Sequence, residues 1–284
     1  LLLQPQGKLD TDLWVWRTGP ETFRLGCEVG RGAALAESLG RWKIRVKAEI
    51  ADQTGRWGCL SLRGARGGEV ASDAAGVDVP EPTHAHRLWP GRGEVRLVRA
   101  DWPVPGGGGG TGGVDVVGPV GDLEGAWEAL VAAGAVPAGL TAYEAARVRA
   151  GVPRQGPDLD ERTIPQEAFL EVDAVSFTKG CFIGQELVCR IHDRGRVNRL
   201  LRRLRVAPGS PTAASDTTVA VGAAILWDGK EVGTVTTVAR SEAGVVALGY
   251  LRREVEMPAE VTLRWDGGEA PAQVTDLSDL SEPA

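Results

Sequence analysis

The stretch KGCFIGQEL, residues 179–187, places a thiol beside an amine just before apolar residues that recur at helical spacing. This pattern predicts a helix that begins near Cys181, where free backbone amides and the positive end of the helix dipole would stabilise a thiolate. Lys179 adds a positive charge nearby. We therefore expect Cys181, assisted by Lys179, to be a functional thiol that is more acidic than a free cysteine. The alternative is a small residue packed in a tight turn beside Gly180.

Positive charge is concentrated directly after this motif, although the whole chain has a formal net charge of -6. The segment from Arg190 to Arg205 holds seven arginines and one acid. One basic band on an acidic protein suggests a site for one anionic ligand. Aromatic residues are only 5% and do not alternate with these arginines, so direct nucleic-acid binding is not expected. Leucines alternate with Arg203 and Arg205, which predicts a strand whose arginine face is solvated.

The composition is that of a globular protein of two or three domains, with 284 residues of which 43% are hydrophobic. No run of about 18 apolar residues occurs, so no membrane span is expected. The four cysteines include no C-x-x-C pair, so we expect no metal site and free thiols in a reducing cytoplasm. We expect the leucine-rich start, LLLQPQGKLD, not to be a signal peptide, and because it does not begin with methionine we expect the true N-terminus to be missing.

The first two thirds of the chain mix strand and helix patterns, which predicts an α+β fold. A hairpin is expected at Leu13–Arg17 and Thr22–Gly26, and a strand at Lys43–Ile50, where apolar residues alternate. Helices are expected in GAALAESLGRW, at Gly121–Gly134 and at Leu140–Gly151. Thr141 and Glu144 have the spacing of a capping box at the start of the last of these helices.

After about Arg196 the sequence changes to six short apolar strands separated by turn signals, including a tight Asp228-Gly229 hairpin. This spacing predicts a small β-barrel. We expect two domains: residues 1–198, with two interleaved subdomains, and the barrel at residues 199–284.

The segment SFTKGCFIGQELVCRIHDRG closely resembles the signature of the folate-binding YgfZ family. Relatives of that family are the glycine-cleavage T-protein (aminomethyltransferase) and the mitochondrial iron–sulfur assembly factor. Every defined position of the pattern K-G-C-[FY]-x-G-Q-E matches: Lys179, Gly180, Cys181, Phe182, Gly184, Gln185 and Glu186. The upstream segment GLTAYEAARVRAGVPRQGPDLDERTIPQE is similar to the T-protein, and the resemblance covers nearly the whole chain.

The resemblance implies a cloverleaf of mixed α/β subdomains around a central cleft for tetrahydrofolate, followed by the barrel. Glu167 matches the T-protein glutamate that pairs with the pterin ring, a role suited to a carboxylate that accepts two parallel N–H bonds. The alternative is a solvated loop glutamate. Arg190 and Arg194 are expected to meet the glutamate tail of folate. Gln185 and Glu186 of the motif are further expected folate contacts.

One departure of this sequence from the T-protein pattern separates two functional hypotheses. The T-protein uses an aspartate before its first long helix, but the segment LGCEVGRGAALAE has no acid in register, since Glu28 and Glu37 are displaced. General-base help to the folate nitrogen would then be missing. We expect a cytoplasmic folate-binding protein that supports iron–sulfur enzymes, including those that modify tRNA, through Cys181. The alternative is a folate-dependent aminomethyltransferase.

Overall fold

The computed structural model describes residues 1–102, 113–206, 219–241 and 244–277, and the chain forms two compact units. One unit combines Leu1–Asp12 with Gly139–Ala284, and the other is Leu13–Ala138. The helices are α1 (Gly32–Trp42), α2 (Gly67–Ala75), α3 (Val120–Ala132), α4 (Leu140–Arg149), α5 (Glu171–Ala174) and α6 (Gln185–Arg194), with a 3-10 helix at Pro165–Glu167. The first strands are β1 (Leu2–Leu3), β2 (Leu9–Thr11), β3 (Leu13–Arg17), β4 (Phe23–Cys27), β5 (Trp57–Leu62), β6 (His86–Leu88), β7 (Arg96–Arg99) and β8 (Val114–Pro119). The remaining strands are β9 (Arg199–Val206), β10 (Ala224–Trp227), β11 (Lys230–Ser241), β12 (Gly244–Arg252), β13 (Ala259–Trp265) and β14 (Gly268–Thr275). No described helix is long and apolar enough to cross a membrane.

The unit of residues 13–138 is built on a four-stranded antiparallel sheet with the order β5-β8-β7-β6. Helices α2 and α3 cover this sheet, and their apolar residues share a core with β7 and β8 that includes Ala71, Leu97, Val116, Leu123 and Ala126. The predicted hairpin is confirmed, because β3 pairs with β4. This unit therefore has its own hydrophobic core.

The strand predicted at Lys43–Ile50 does not form, although its apolar residues alternate as a strand requires. Ile44 and Val46 are 70% and 59% exposed, and no described strand pairs with this segment. Arg45 has φ +64°, a left-handed conformation that interrupts extended backbone. Alternation alone was an insufficient signal here, because a strand also needs a neighbour for its backbone hydrogen bonds.

The C-terminal strands form a closed six-stranded barrel with the order β10-β11-β12-β9-β14-β13, which confirms the predicted barrel and the mixed α/β fold class. The hairpin at Asp228 and Gly229 is also confirmed, with φ values of +49° and +74° that suit a type I′ turn. Inward-facing residues such as Leu204, Ile225 and Leu263 fill the barrel and are fully buried.

The barrel shares a second core with elements that precede it in sequence. Val148 of α4 and Val188 of α6 pack with Leu201 and Leu248 on the other face of strands β9 and β12. Strand β9 begins where the sequence predicted a domain boundary, at residue 199. The compact units divide elsewhere, after residues 12 and 138, because this second core joins the helices of residues 139–198 to the barrel.

Arg203 on β9 is 3% exposed and donates a hydrogen bond of 2.8 Å to the carbonyl oxygen of Arg149. The prediction that Arg203 lies on a solvated strand face is therefore wrong, and Arg205 is half-buried. The end of α4 covers this part of the strand, a tertiary contact that the alternation of arginine and leucine does not reveal.

A buried ion pair fastens α4 to the loop that follows it. Arg147 is 1% exposed and donates to the fully buried carboxylate of Asp158 at 2.8 Å. The other oxygen of Asp158 accepts from Thr236 at 2.6 Å and from Thr237 at 2.7 Å, at the point where the register of β11 shifts. Helix, loop and barrel therefore meet at one carboxylate.

Glu144 belongs to the same network, and this explains why the predicted capping box is wrong. Its carboxylate pairs with Arg147 at 2.7 Å and also with Arg154, whereas α4 begins at Leu140 after Gly139, an N-cap residue that offers no side-chain hydrogen bond. Burial alone would raise the pKa of Glu144, but hydrogen bonds and charges from the two arginines prevail, and the pKa lies below its usual value. The role of the Glu144 side chain is therefore ion pairing with Arg147 and Arg154, and not helix capping.

Replacing Arg147 by methionine is expected to lower the free energy of unfolding by about 3–5 kcal/mol, because Asp158 would remain buried without its cation. Arg162 offers a matched control, since its guanidinium pairs with Asp160 but its side chain is 76% exposed. Arg162→Met is expected to leave the free energy of unfolding nearly unchanged, because water already screens this exposed pair. Chemical denaturation of the full chain measures both changes, and equal losses would contradict the role given to Asp158.

Candidate functional site

Helix α6 begins at Gln185 because the preceding Gly184 has φ +77°, a conformation that cannot continue the helix backwards. The side-chain oxygen of Gln185 accepts a hydrogen bond from the backbone N–H of Phe182 at 3.1 Å. Cys181 therefore lies four residues before the helix, and not at its start as the sequence predicted. Both Cys181 and Lys179 are exposed, and the Lys179 ammonium lies 5.1 Å from the centre of the Phe182 ring.

Gly184 is also a point of very close packing. A Cβ atom at this position would lie 2.5 Å from the carbonyl oxygen of Gln4 and 2.8 Å from the Cα atom of Gly7. The tight turn between β1 and β2 thus rests against the start of α6. Phe182 packs against the core that α6 shares with the barrel. Gly184 and Phe182 of the motif therefore have structural roles in the fold.

A cavity of about 610 Å³ lies beside α6. The helix contributes one face at i, i+3, i+4 and i+7 spacing, with the apolar residues Leu187 and Ile191 and the basic residues Arg190 and Arg194. The remaining lining residues are Ile164, Glu167, Gly195, Arg196, Val197 and Asn198. Three of the predicted ligand-binding residues, Glu167, Arg190 and Arg194, therefore meet at one cavity.

Glu167 lies on the 3-10 helix, which begins at Pro165, and its side chain is 8% exposed. Both carboxylate oxygens are bound by Arg199 of β9, with Nε to Oε1 and Nη2 to Oε2 each at 3.1 Å. The backbone N–H of Ile164 also donates to Oε2 at 3.2 Å. Glu167 is therefore not a solvated loop residue, and a guanidinium already occupies the parallel two-bond geometry expected for a pterin ring.

Arg199 lies between Glu167 and the ring of Tyr250, whose centre is 4.4 Å from its guanidinium carbon. Burial opposes the charge of Arg199, but the hydrogen bonds and charge of Glu167 outweigh it, so the pKa of Arg199 is raised. Burial likewise raises the pKa of Tyr250, which donates to the backbone oxygen of Asp158 at 3.1 Å. The side chain that binds Glu167 is thus a guanidinium that remains charged.

The other predicted site residues do not line this cavity. Cys181, Lys179, Gln185 and Glu186 are absent from the described residues that surround it. Glu186 is exposed in the first turn of α6, where a carboxylate suits the helix dipole. Sequence reasoning gave no role to Arg196 or Arg199, and the only signal for them was their place in the arginine-rich segment. Among the described residues, no group of three or more potential metal ligands is arranged to hold an ion.

The chain matches the family model described as "GCVT N-terminal domain" over residues 1–179. This match covers more than half of the chain, and the protein therefore belongs to that family. It is 30% identical over 274 residues to an aminomethyltransferase of Rubrobacter xylanophilus, covering 92% of this chain and 67% of the relative. It is also 29% identical over 255 residues to the human mitochondrial iron–sulfur cluster assembly factor IBA57, covering 80% of this chain and 62% of the relative.

The fold agrees with this membership. The crystal structure of the glycine cleavage system aminomethyltransferase T from Bartonella henselae has a TM-score of 0.78 at 21% identity, and covers 100% of this chain and 76% of its own. The chain spans less than two thirds of the human factor's length. The likeness to the solved structure shows the mixed α/β fold with its barrel.

Gly184→Ala is expected to lower the free energy of unfolding by about 1–3 kcal/mol, because the new methyl group meets backbone atoms and φ is positive. Gly180 provides the matched control within the same motif. A Cβ at Gly180 would meet nothing within 4 Å, so Gly180→Ala is expected to change stability by less than about 0.5 kcal/mol. Urea denaturation compares the two variants, and a neutral Gly184→Ala would refute the packing role of this glycine.

Proposed function

We propose that this protein is a tetrahydrofolate-binding member of the YgfZ branch of its family. In this proposal it supports the maintenance of iron–sulfur enzymes, including tRNA-modifying enzymes, in the cytoplasm. The observation that carries the proposal is the cavity beside α6, where a buried carboxylate meets three arginines and an apolar wall. The similarity to the human iron–sulfur cluster assembly factor also supports a role with iron–sulfur enzymes.

The residues fit a reduced folate in their chemistry. Glu167 would accept N–H bonds from the 2-amino-4-oxo ring, and Ile164, Leu187 and Ile191 offer apolar contact to the rings. Arg190 and Arg194 would hold the carboxylates of the glutamate tail. The bound folate would supply a carrier for a one-carbon group. In this proposal the protein positions that carrier. The thiol of Cys181, with Lys179 two residues before it in the sequence, performs a separate step.

Some residues of the KGCFIGQE motif have structural roles and others do not, and this difference supports a functional thiol at Cys181. Gly184, Phe182 and Gln185 have structural duties that explain their identity. Cys181 is exposed, so packing does not explain a cysteine at that position. An exposed thiol is accessible for nucleophilic or redox chemistry.

A folate-dependent aminomethyltransferase is the second candidate, favoured by the similarity to the Rubrobacter enzyme. That reaction needs a carboxylate near the folate nitrogens. Of the described residues that line the cavity, Glu167 is the only acid, and it is engaged by Arg199. Glu37 pairs with Arg41 on the exposed surface of α1, at 3.3 Å. These observations favour the first candidate.

Binding of tetrahydrofolate tests the site directly. Anaerobic calorimetry is expected to detect binding to the wild type and a loss of about 10- to 100-fold in affinity for Glu167→Gln, because a charge-assisted pair of hydrogen bonds is lost. Glu260→Gln, on the exposed surface of β13, is the matched control and is expected to bind as the wild type does. Wild-type affinity in Glu167→Gln would contradict the assignment of the ring to this carboxylate.

Cys181→Ala separates the thiol from the folate site. We expect this variant to bind tetrahydrofolate with nearly wild-type affinity and to lose the ability to support an iron–sulfur tRNA-modifying enzyme in cells that lack the protein. Cys189→Ala, on α6 and half-buried, is the control and is expected to retain activity. Full complementation by Cys181→Ala would exclude the thiol from the function.

A further inference from the structure

The segment that carries Cys181 is attached to α6 at both of its ends. At the end near the thiol, the backbone N–H of Phe182 donates to the side-chain oxygen of Gln185, in the first turn of α6, at 3.1 Å. At the other end, the ring of Phe177 stacks on the imidazole of His192, in the last turn of the helix, with ring centres 3.8 Å apart and 14° between the planes. The segment therefore runs beside α6 in the opposite direction.

These contacts lie on one face of α6. Successive helical residues are rotated by about 100°, so Gln185, Cys189 and His192, at i, i+4 and i+7, share a face. The helical residues that line the cavity, which include Arg190 and Arg194, lie on the opposite face. His192 is thus on the side of the helix that holds the cysteine segment, and it does not line the cavity.

A second element that precedes the thiol also lies close to His192. Glu171 is the first residue of α5, and its Oε2 atom is buried without a hydrogen-bond partner among the described residues. Burial raises the pKa of this carboxyl group, and the charge of a protonated His192 is among the effects that oppose that shift. The histidine is therefore near both α5 and the beginning of the cysteine segment.

The two ends of the segment differ in what holds them. Phe182 adjoins the turn at Gly184, which leads directly into α6. Phe177 lies eight residues before the helix, and its position depends on the core shared with the barrel and on the ring of His192. Cys181 is exposed, so packing of its own side chain does not fix it. The order of the segment depends on the contacts at its two ends.

We propose that His192 is a positioning residue for the thiol of Cys181. Its imidazole holds Phe177 beside α6, which orders the segment and keeps the thiol at the side of the helix opposite the cavity. This role rests on the proposed function in one respect, since it takes Cys181 to be the functional thiol. The thiol step then requires an ordered segment as well as an accessible sulfur.

Cleavage after Lys179 measures how often this segment opens, because a protease requires locally unfolded chain. A lysine-specific endopeptidase is applied to the full chain, and cleavage after the exposed Lys47, in the other compact unit, is the internal reference. In His192→Ala we expect cleavage after Lys179 to be about 3- to 10-fold faster relative to the reference, which corresponds to the loss of one stacked ring pair. His192→Phe retains a ring and is expected to restore the wild-type rate.

Asp193→Ala is the matched control, since Asp193 is exposed in the same turn of α6 and has no ring. It is expected to be cleaved at the wild-type rate. An unchanged rate after Lys179 in His192→Ala, or no restoration by His192→Phe, would overturn the positioning role. Equal acceleration after Lys179 and Lys47 would also overturn it, because the loss of stability would then be general.

Activity in cells and tetrahydrofolate binding separate this role from the proposed function. We expect His192→Ala to bind tetrahydrofolate as the wild type does but to support the tRNA-modifying enzyme several-fold less, and His192→Phe to restore activity. Full activity of His192→Ala would overturn the positioning role. A His192→Phe protein that is protected from cleavage but inactive would also overturn it, because the imidazole would then act chemically. Full complementation by Cys181→Ala would instead overturn the proposed function, and the cleavage rates would still decide whether His192 orders the segment.

Discussion

The candidate site depends on the buried carboxylate of Asp158. Arg147 from α4, the backbone N–H of Arg154 and the hydroxyl groups of Thr236 and Thr237 all donate to it. A buried charge is tolerated only when its partners are complete, and here they come from a helix, a loop and the barrel. The loop that begins at this anchor leads directly to the 3-10 helix that presents Glu167. The position of the site glutamate is thus set by a network that does not itself face the cavity.

The cysteine motif combines residues that build the fold with residues that remain exposed. Gly184 has no room for a side chain, and Gln185 satisfies a backbone N–H ahead of α6. Between the structural residues, Cys181 and Lys179 are held on the surface. A thiol fixed by rigid neighbours but left exposed is accessible to a partner or a substrate, and its place in the chain is determined by the glycine and aromatic residues around it.

Sequence alone predicted the elements whose signals are local. The barrel strands, the Asp228-Gly229 turn and the β3–β4 hairpin all have short-range patterns, and all are confirmed. The failures involve partners that the local patterns do not specify: Glu144 pairs with arginines instead of capping α4, and Arg203 is covered by the end of that helix. The candidate site was predictable in part, because Glu167, Arg190 and Arg194, which the family resemblance singled out, do line one cavity. The pairing of Glu167 with Arg199 could not, since it joins residues on separate elements.

In the function proposed above, that pairing constrains how the ring of a folate would bind. A carboxylate has about four acceptor positions, and Glu167 uses one on Oε1 and two on Oε2. One position remains, on Oε1, whereas a ring with two parallel N–H donors needs one on each oxygen. One of the two donors to Oε2, Arg199 or the backbone N–H of Ile164, must therefore release it for such a ring to bind in the parallel geometry. The Arg199 side chain is 39% exposed and lies over the ring of Tyr250, so it can give up that bond and remain held by the aromatic face.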